Sequence, residues 1–274
     1  MKLLWGFATL SIWLGIAHFP ADAQEIATNR NFTYWCLNKN NLSTDTRRTI
    51  NLLLREAGTQ NCQQANRKLS SLTKLYLGAN QIVDLKPLSS LTNLTELYLG
   101  ANEIVDLKPL SSLNKLTDLN LDANQIVDIK PLSTLTNLID LHLDVNQIVD
   151  IKPLSNLTKL RFLWFGNNQI SDLQPLSNLS NVKVIWLGGN QISDLRPLSS
   201  LTNLTTLHLF RNHIVDIIPL SKLTNLVFLD LSNNQITDIK SLSSLTKLAN
   251  LYLRDNPTIA NKICPVQPQS ICEF

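Results

Sequence analysis

The chain has 274 residues, of which 44% are apolar and 16% charged, with a formal net charge of +3. That is ample length and apolar content for a packed core, and so mild a charge argues against a nucleic-acid partner. The first 23 residues, MKLLWGFATLSIWLGIAHFPADA, run from a lysine at position 2 through an apolar stretch to Ala21-Asp22-Ala23. This is the order of a secretory signal peptide, with cleavage expected before Gln24; an uncleaved membrane anchor is the alternative. No later stretch approaches the roughly 18 apolar residues needed to span a bilayer. The mature chain is therefore expected to lack a membrane span and to be secreted or periplasmic.

Residues 24–71 read as a helical cap. Within them, NFTYWCLNKNNLSTDTRRTINLLLREAGTQNC predicts two or three short helices, the second starting at Ser43 or Thr44 and ending at Gly58. Cys36 and Cys62 lie here, Cys264 and Cys272 lie at the other end, and the 201 residues between hold no cysteine. Four cysteines allow three pairings. Local pairs, Cys36 with Cys62 and Cys264 with Cys272, follow if the two ends are far apart in space. No histidine lies near either pair, which weakens a metal reading.

From Leu72 a 22-residue unit runs through eight full copies and a partial ninth that begins at Leu248, together covering 72–256. The first copy is LTKLYLGANQIVDLKPLSSLTN, and the pattern is LxxLxLxxNxIxDLxPLSxLxx. A period of this length means a solenoid, one supersecondary unit stacked on the next. The pattern resembles the leucine-rich repeat family, specifically the short 22-residue type of internalin-like bacterial proteins and of protein-phosphatase-1 regulatory subunits.

The residues account for such a fold without the family name. Each LxxLxL segment alternates with period two, so it is a strand with its leucines inward. An asparagine recurs at the ninth position, from Asn80 and Asn102 through to Asn256. Its amide has two donors and an acceptor, enough to satisfy turning backbone in its own and the next coil. Four residues on stands an aspartate, from Asp84 through Asp238, placed to accept from backbone N–H groups two or three residues later. A proline follows it in seven copies; Ser241 replaces it in the eighth, where a looser turn is expected. So short a return path predicts 3₁₀ turns. The expected class is α/β, a leucine-rich repeat horseshoe with a concave parallel sheet of nine strands about 40 Å long. Convex 3₁₀ turns and disulfide-closed caps complete it, the C-terminal cap being an irregular tail over 257–274. No calcium-loop-like cap, wall-anchoring signal or adhesive module is evident, so host-cell invasion does not carry over from the resemblance.

The resemblance implies partner binding through the exposed residues of the concave strands, and alternation identifies these as the third, fifth and seventh positions. They vary where the frame does not, and they segregate. Copies two to four carry Glu96, Asp118, Asp122, Asp140 and Asp144 around His142; copies five to eight carry Phe162, Trp164, Trp186, His208, Phe210 and Phe228. In LRFLWFGNNQI, Leu160, Leu163 and Phe165 belong to the frame, and Phe162 and Trp164 point outward. The rings are candidate anchors, or simply stack on one another. Adjacent aspartates repel unless compensated, which leaves a basic partner, plain solvation or a divalent cation. An open sheet offers no pocket to raise one carboxyl pKa, so glycosidase chemistry is not expected. The convex stripe of Lys86, Lys108, Lys130, Lys152, Arg196 and Lys240 is either a solubilising face or a contact for anionic envelope surfaces. No P-loop, nucleophile elbow, CxxC or HExxH is present. The reading is a non-catalytic protein-binding module without cofactor or metal, with carbohydrate or cell-wall binding as the alternative.

Overall fold

The computed structural model describes residues 30–257 and 263–274; the expected signal peptide lies outside them. Among the described residues three helices come first: α1 (Phe32–Leu37), α2 (Thr44–Glu56) and α3 (Cys62–Ser70). Each starts at a side chain that accepts from a backbone N–H inside the first turn: Asn31 for α1, Ser43 for α2 and Asn61 for α3. Gly58, at φ +60, turns the chain out of α2. Cys36 and Cys62 are bonded, tying α1 to α3. Ile50, Leu53 and Leu54 of α2 are buried in the same core as the repeat leucines. The Thr46 hydroxyl donates to the Asp84 carboxylate, and the Thr49 hydroxyl donates to the Asp84 carbonyl at 2.7 Å. The first coil is thereby covered, as the end of a repeat array requires.

Ten parallel strands follow in one open sheet, ordered as in the chain. They are β1 (Lys74–Tyr76), β2 (Glu96–Tyr98), β3 (Asp118–Asn120), β4 (Asp140–His142) and β5 (Phe162–Trp164), then β6 (Val184–Trp186), β7 (Thr206–His208), β8 (Phe228–Asp230), β9 (Asn250–Tyr252) and β10 (Cys272–Glu273). The register is one coil per strand, so Trp164 stands opposite His142 on one side and Trp186 on the other. The middle residue of each of β1 to β9 is buried and its neighbours are not, which is the expected alternation. The return paths are 3₁₀ turns such as Lys86–Leu88 and Lys152–Leu154. In each, the aspartate accepts from the backbone N–H two residues on, at 2.7 to 2.9 Å. The turn lacking proline is not looser: Lys240–Ser244 closes as a five-residue 3₁₀ segment.

The asparagine column is a buried ladder, and its partner coil is the preceding one, not the next. Asn146 accepts from the Ile126 N–H at 3.0 Å and donates to the carbonyls of Leu121 and Leu143, each at 3.1 Å. The same pattern runs from Asn102 to Asn256. Asn80 has no preceding coil, and its amide donates to Gly78 in its own turn.

The C-terminal tail differs from expectation. Rather than remaining irregular, Cys272–Glu273 adds a tenth strand, with Cys272 opposite Leu251 and the Leu253 N–H donating to the Glu273 carbonyl at 2.7 Å. The unpaired edge of β9 needs partners for its backbone groups, and the Cys264–Cys272 disulfide closes a loop within the tail that leads into the new strand. No helix among the described residues is long and apolar enough to cross a membrane.

Candidate functional site

The register stacks the fifth-position side chains into a ladder. His142 and Trp164 lie with centroids 5.2 Å apart and planes 11° off parallel, Trp164 and Trp186 5.6 Å and 27°, and Trp186 and His208 3.8 Å and 24°. On β8 the fifth position is Asp230, and Phe228 from the third position fills the gap, 4.5 Å from His208 and 5.3 Å from Tyr252. Six rings thus continue across β4 to β9. Phe210 adds an edge-on contact with Trp186 at 5.9 Å and 86°, an arrangement the ring quadrupoles favour. Phe162 stands outside the ladder, with the Arg161 guanidinium 5.6 Å from its centroid. A separate pair, Tyr76 and Tyr98, stacks at 4.7 Å, and Asn120 interrupts it before β4.

The acidic half is organised by hydrogen bonds along the same direction. Glu96 pairs with Lys74 at 2.6 Å, and the Thr117 hydroxyl donates to Asp118 at 2.6 Å. The His142 ring lies between two carboxylates, Nδ1 3.5 Å from Asp122 and Nε2 3.1 Å from Asp140. Burial pulls its pKa down, but Asp122 and Asp140 outweigh burial and raise it to about 9. At neutral pH it is therefore an imidazolium stacked on Trp164. The Asp144 N–H donates to Asp122 at 2.7 Å, and the Gly166 N–H donates in turn to Asp144. Burial raises the Asp144 carboxyl to about 6, with the nearby Asp122 charge adding to it and the Gly166 amide and His142 opposing. Part of the compensation that the facing aspartates need thus comes from the chain itself. Among the described residues, no group of three or more His, Cys, Asp or Glu side chains is disposed to hold a metal ion. On the opposite surface the basic stripe is partly paired, Arg196 with Asp194 at 2.8 Å and Lys86 with Asp84 at 3.9 Å.

The sequence profile described as leucine-rich repeats (two copies) matches five overlapping or successive segments: 70–112, 92–134, 136–178, 180–222 and 224–267. The chain belongs to the leucine-rich repeat family. Among solved structures it is similar to internalin C2 of Listeria monocytogenes, at 34% identity over 74% of this chain and 91% of that one, with a TM-score of 0.70. Internalin F of the same organism is 31% identical over 77% of this chain and 75% of that one, with a TM-score of 0.55. The ectodomain of the Arabidopsis thaliana receptor kinase GASSHO1/SCHENGEN3, solved in complex with CASPARIAN STRIP INTEGRITY FACTOR 2, is 29% identical. That likeness covers 69% of this chain and 25% of the receptor chain, with a TM-score of 0.62. No curated protein matches by sequence.

In leucine-rich repeat terms, the face variable in sequence is also the face ordered by lateral contacts. Two glycines that shape it escaped the sequence reading. Gly166 and Gly188, at the seventh position, are the floor on which the next strand's rings lie. A Cβ on Gly166 would stand 2.8 Å from Trp186 Cδ1, and one on Gly188 would run into the Phe210 ring. The available signal was a glycine one copy before a large ring. Tyr252, the ladder's last member, was legible as a fifth-position aromatic.

Proposed function

We propose that this leucine-rich repeat protein is a non-catalytic, extracytoplasmic module that binds another protein through the open face of its sheet. In this reading residues 1–23 are a signal peptide, 24–71 and 257–274 are the two caps, and 72–256 are the recognition array; the mature chain is secreted or periplasmic. Internalin-like neighbours and two disulfides support that compartment, and a receptor ectodomain solved with its protein ligand supports the mode of use.

The observation that carries the reading is the ring ladder. Large, half-buried aromatic side chains already fixed by stacking lose little conformational freedom on binding, which is what favours them as interface anchors. Phe162, Trp164, Trp186, His208, Phe210 and Phe228 supply apolar contact. Glu96, Asp118, Asp122, Asp140, His142 and Asp144 supply orientation toward a basic partner.

The ladder also weighs against the carbohydrate alternative. A sugar ring packs on an exposed aromatic face, but Trp164 and Trp186 turn their faces to His142, to each other and to His208.

Photocrosslinking from position 164 in the native envelope tests the assignment, with Trp186→Ala as the control. A captured protein that is lost with Trp186→Ala is the expected result. Retention on peptidoglycan or glycans by the purified chain, abolished by Trp164→Ala and Trp186→Ala together, would replace it with the carbohydrate reading.

A further inference from the structure

Two titratable groups of different sign meet at one ring of the ladder. Gly166 brings the first to Trp186: a Cβ there would lie 2.9 Å from Trp186 Nε1 and 3.2 Å from Asp144 Oδ1, so both side chains sit over the same bare backbone. The second, His208, stacks on the indole at 3.8 Å from the other side and is closed by Phe228 at 4.5 Å.

The surroundings of each are defined. Asp144 faces Asp122 from beside β3, His142 on its own strand and the Gly166 amide from beside β5. His208 faces Trp186 from β6 and Phe228 and Asp230 from β8. Asp230 is engaged in its own turn, accepting from the Ser232 N–H at 3.0 Å.

We propose that this face is acid-responsive: protonation of Asp144 and His208 together converts the surface around Trp186 from one suited to basic partners into one that repels them. Burial underlies the response of both groups. It favours the neutral form of each, holding Asp144 up at about 6 and His208 below the ordinary histidine value, with Asp230 opposing the latter. Asp144 therefore gains a proton as the medium turns mildly acidic and His208 at a lower pH than an ordinary histidine, and once both have done so the charge of the face has risen by two. His142, held near 9 by Asp122 and Asp140, stays charged throughout. The new cation at His208 lies between two aromatic rings, where cation–π attraction favours it over leaving the stack. The ladder thus keeps its shape while its charge changes. The release of a basic partner rests on the function proposed above; the titration of the ladder does not.

Tryptophan emission of the mature chain reads the titration without any partner, because a protonated imidazole quenches an indole stacked on it. Emission is expected to fall as the pH is lowered from about 7.5, through and below the ordinary histidine range, while far-UV dichroism stays constant. Most of the change should disappear in His208→Asn or His208→Gln, the remainder in Asp144→Asn, and all of it in Trp186→Phe. An emission that is flat over this range, or a transition that survives in the His208→Asn, Asp144→Asn double variant, overturns the inference. Poly-L-lysine is the probe for the binding consequence. It should be retained at about pH 7.5 and released at the pH where the emission change is complete, with release lost in the double variant. Equal retention at both pH values despite an intact emission change would overturn the release of basic partners while leaving the ladder's titration standing.

Discussion

Two ladders run along this solenoid at the same spacing, one side chain per coil: the asparagines over nearly its whole length, the rings from β4 to β9. The asparagine ladder is buried, chemically identical from Asn102 to Asn256, and closes backbone groups of two coils at every step. The ring ladder is half-exposed, changes residue at each step, and satisfies no backbone group. Both come from the same in-register parallel pairing, which sets any position beside its counterpart one coil away. The difference teaches how the work is divided. An enclosed column admits one polar solution and repeats it, whereas a column facing water is free to vary, so recognition can be written there without touching stability.

That division can be broken most directly at Asn146. Replacing it with alanine strands the Ile126 N–H in a buried strip, at about 1–3 kcal/mol. The Leu121 and Leu143 carbonyls each lose one of two donors, Asn124 and Asn168 still reaching them, at about 0.5–1.5 kcal/mol per bond. Urea denaturation of Asn146→Ala should register a loss of about 3 kcal/mol. A loss below about 1 kcal/mol would mean that the column is not what holds the coils. Trp164→Ala with Trp186→Ala should cost well under that, about 1–2 kcal/mol from lost stacking, with near-UV dichroism collapsing and the fold retained.

His142 sharpens the comparison, since it is the point where the exposed face does contribute to stability. Its folded pKa of about 9 exceeds the ordinary histidine value of 6.5, so the folded state holds the proton more tightly than the unfolded one. The stabilisation is fully present below pH 6.5 and is lost as pH rises from there through 9. With the ring only about a quarter exposed, the expected loss is on the order of 2 kcal/mol. Denaturation at pH 6.5 and pH 9.5 measures it, and His142→Asn should flatten the dependence; an unchanged slope in the variant would assign it to other groups.

The smallest effect is expected at Val145, which joins the two ladders. It sits at φ 57 and is half exposed, a left-handed conformation that a β-branched residue adopts at a cost of roughly 1–2 kcal/mol with little burial to offset it. Val145→Asn should raise stability by about 0.5–1 kcal/mol, seen as a higher Tm. A decrease would show that the exposed valine packs more than its surroundings indicate.

Most of the fold was legible because its chemistry repeats. A leucine every two or three residues, an asparagine every 22 and an aspartate before each turn state the strand, the ladder and the 3₁₀ return nine or eight times over. The outward columns were legible too, since alternation alone decides which side of a strand a residue takes. What one copy cannot express was not. Cys272–Glu273 is too short and too unlike the repeat to read as a strand, and it becomes one only because β9 offers a free edge. Phe228 reaches the ladder from the wrong column because Asp230 leaves room beside His208, and Gly166 and Gly188 matter only for the rings that lie over them.

The sequence by itself determined the solenoid, its period, which residues face inward and where the acidic and aromatic halves divide, because each follows from local periodicity. Tertiary structure alone decided that the asparagines look back to the preceding coil, that His142 is charged between Asp122 and Asp140, and that the aromatic side chains stack on one another from coil to coil. Apart from the Asp140–His142 pair, which one strand brings together, those properties depend on distances of 3 to 6 Å between residues 20 or more apart in the chain, and such distances exist only once the coils are stacked.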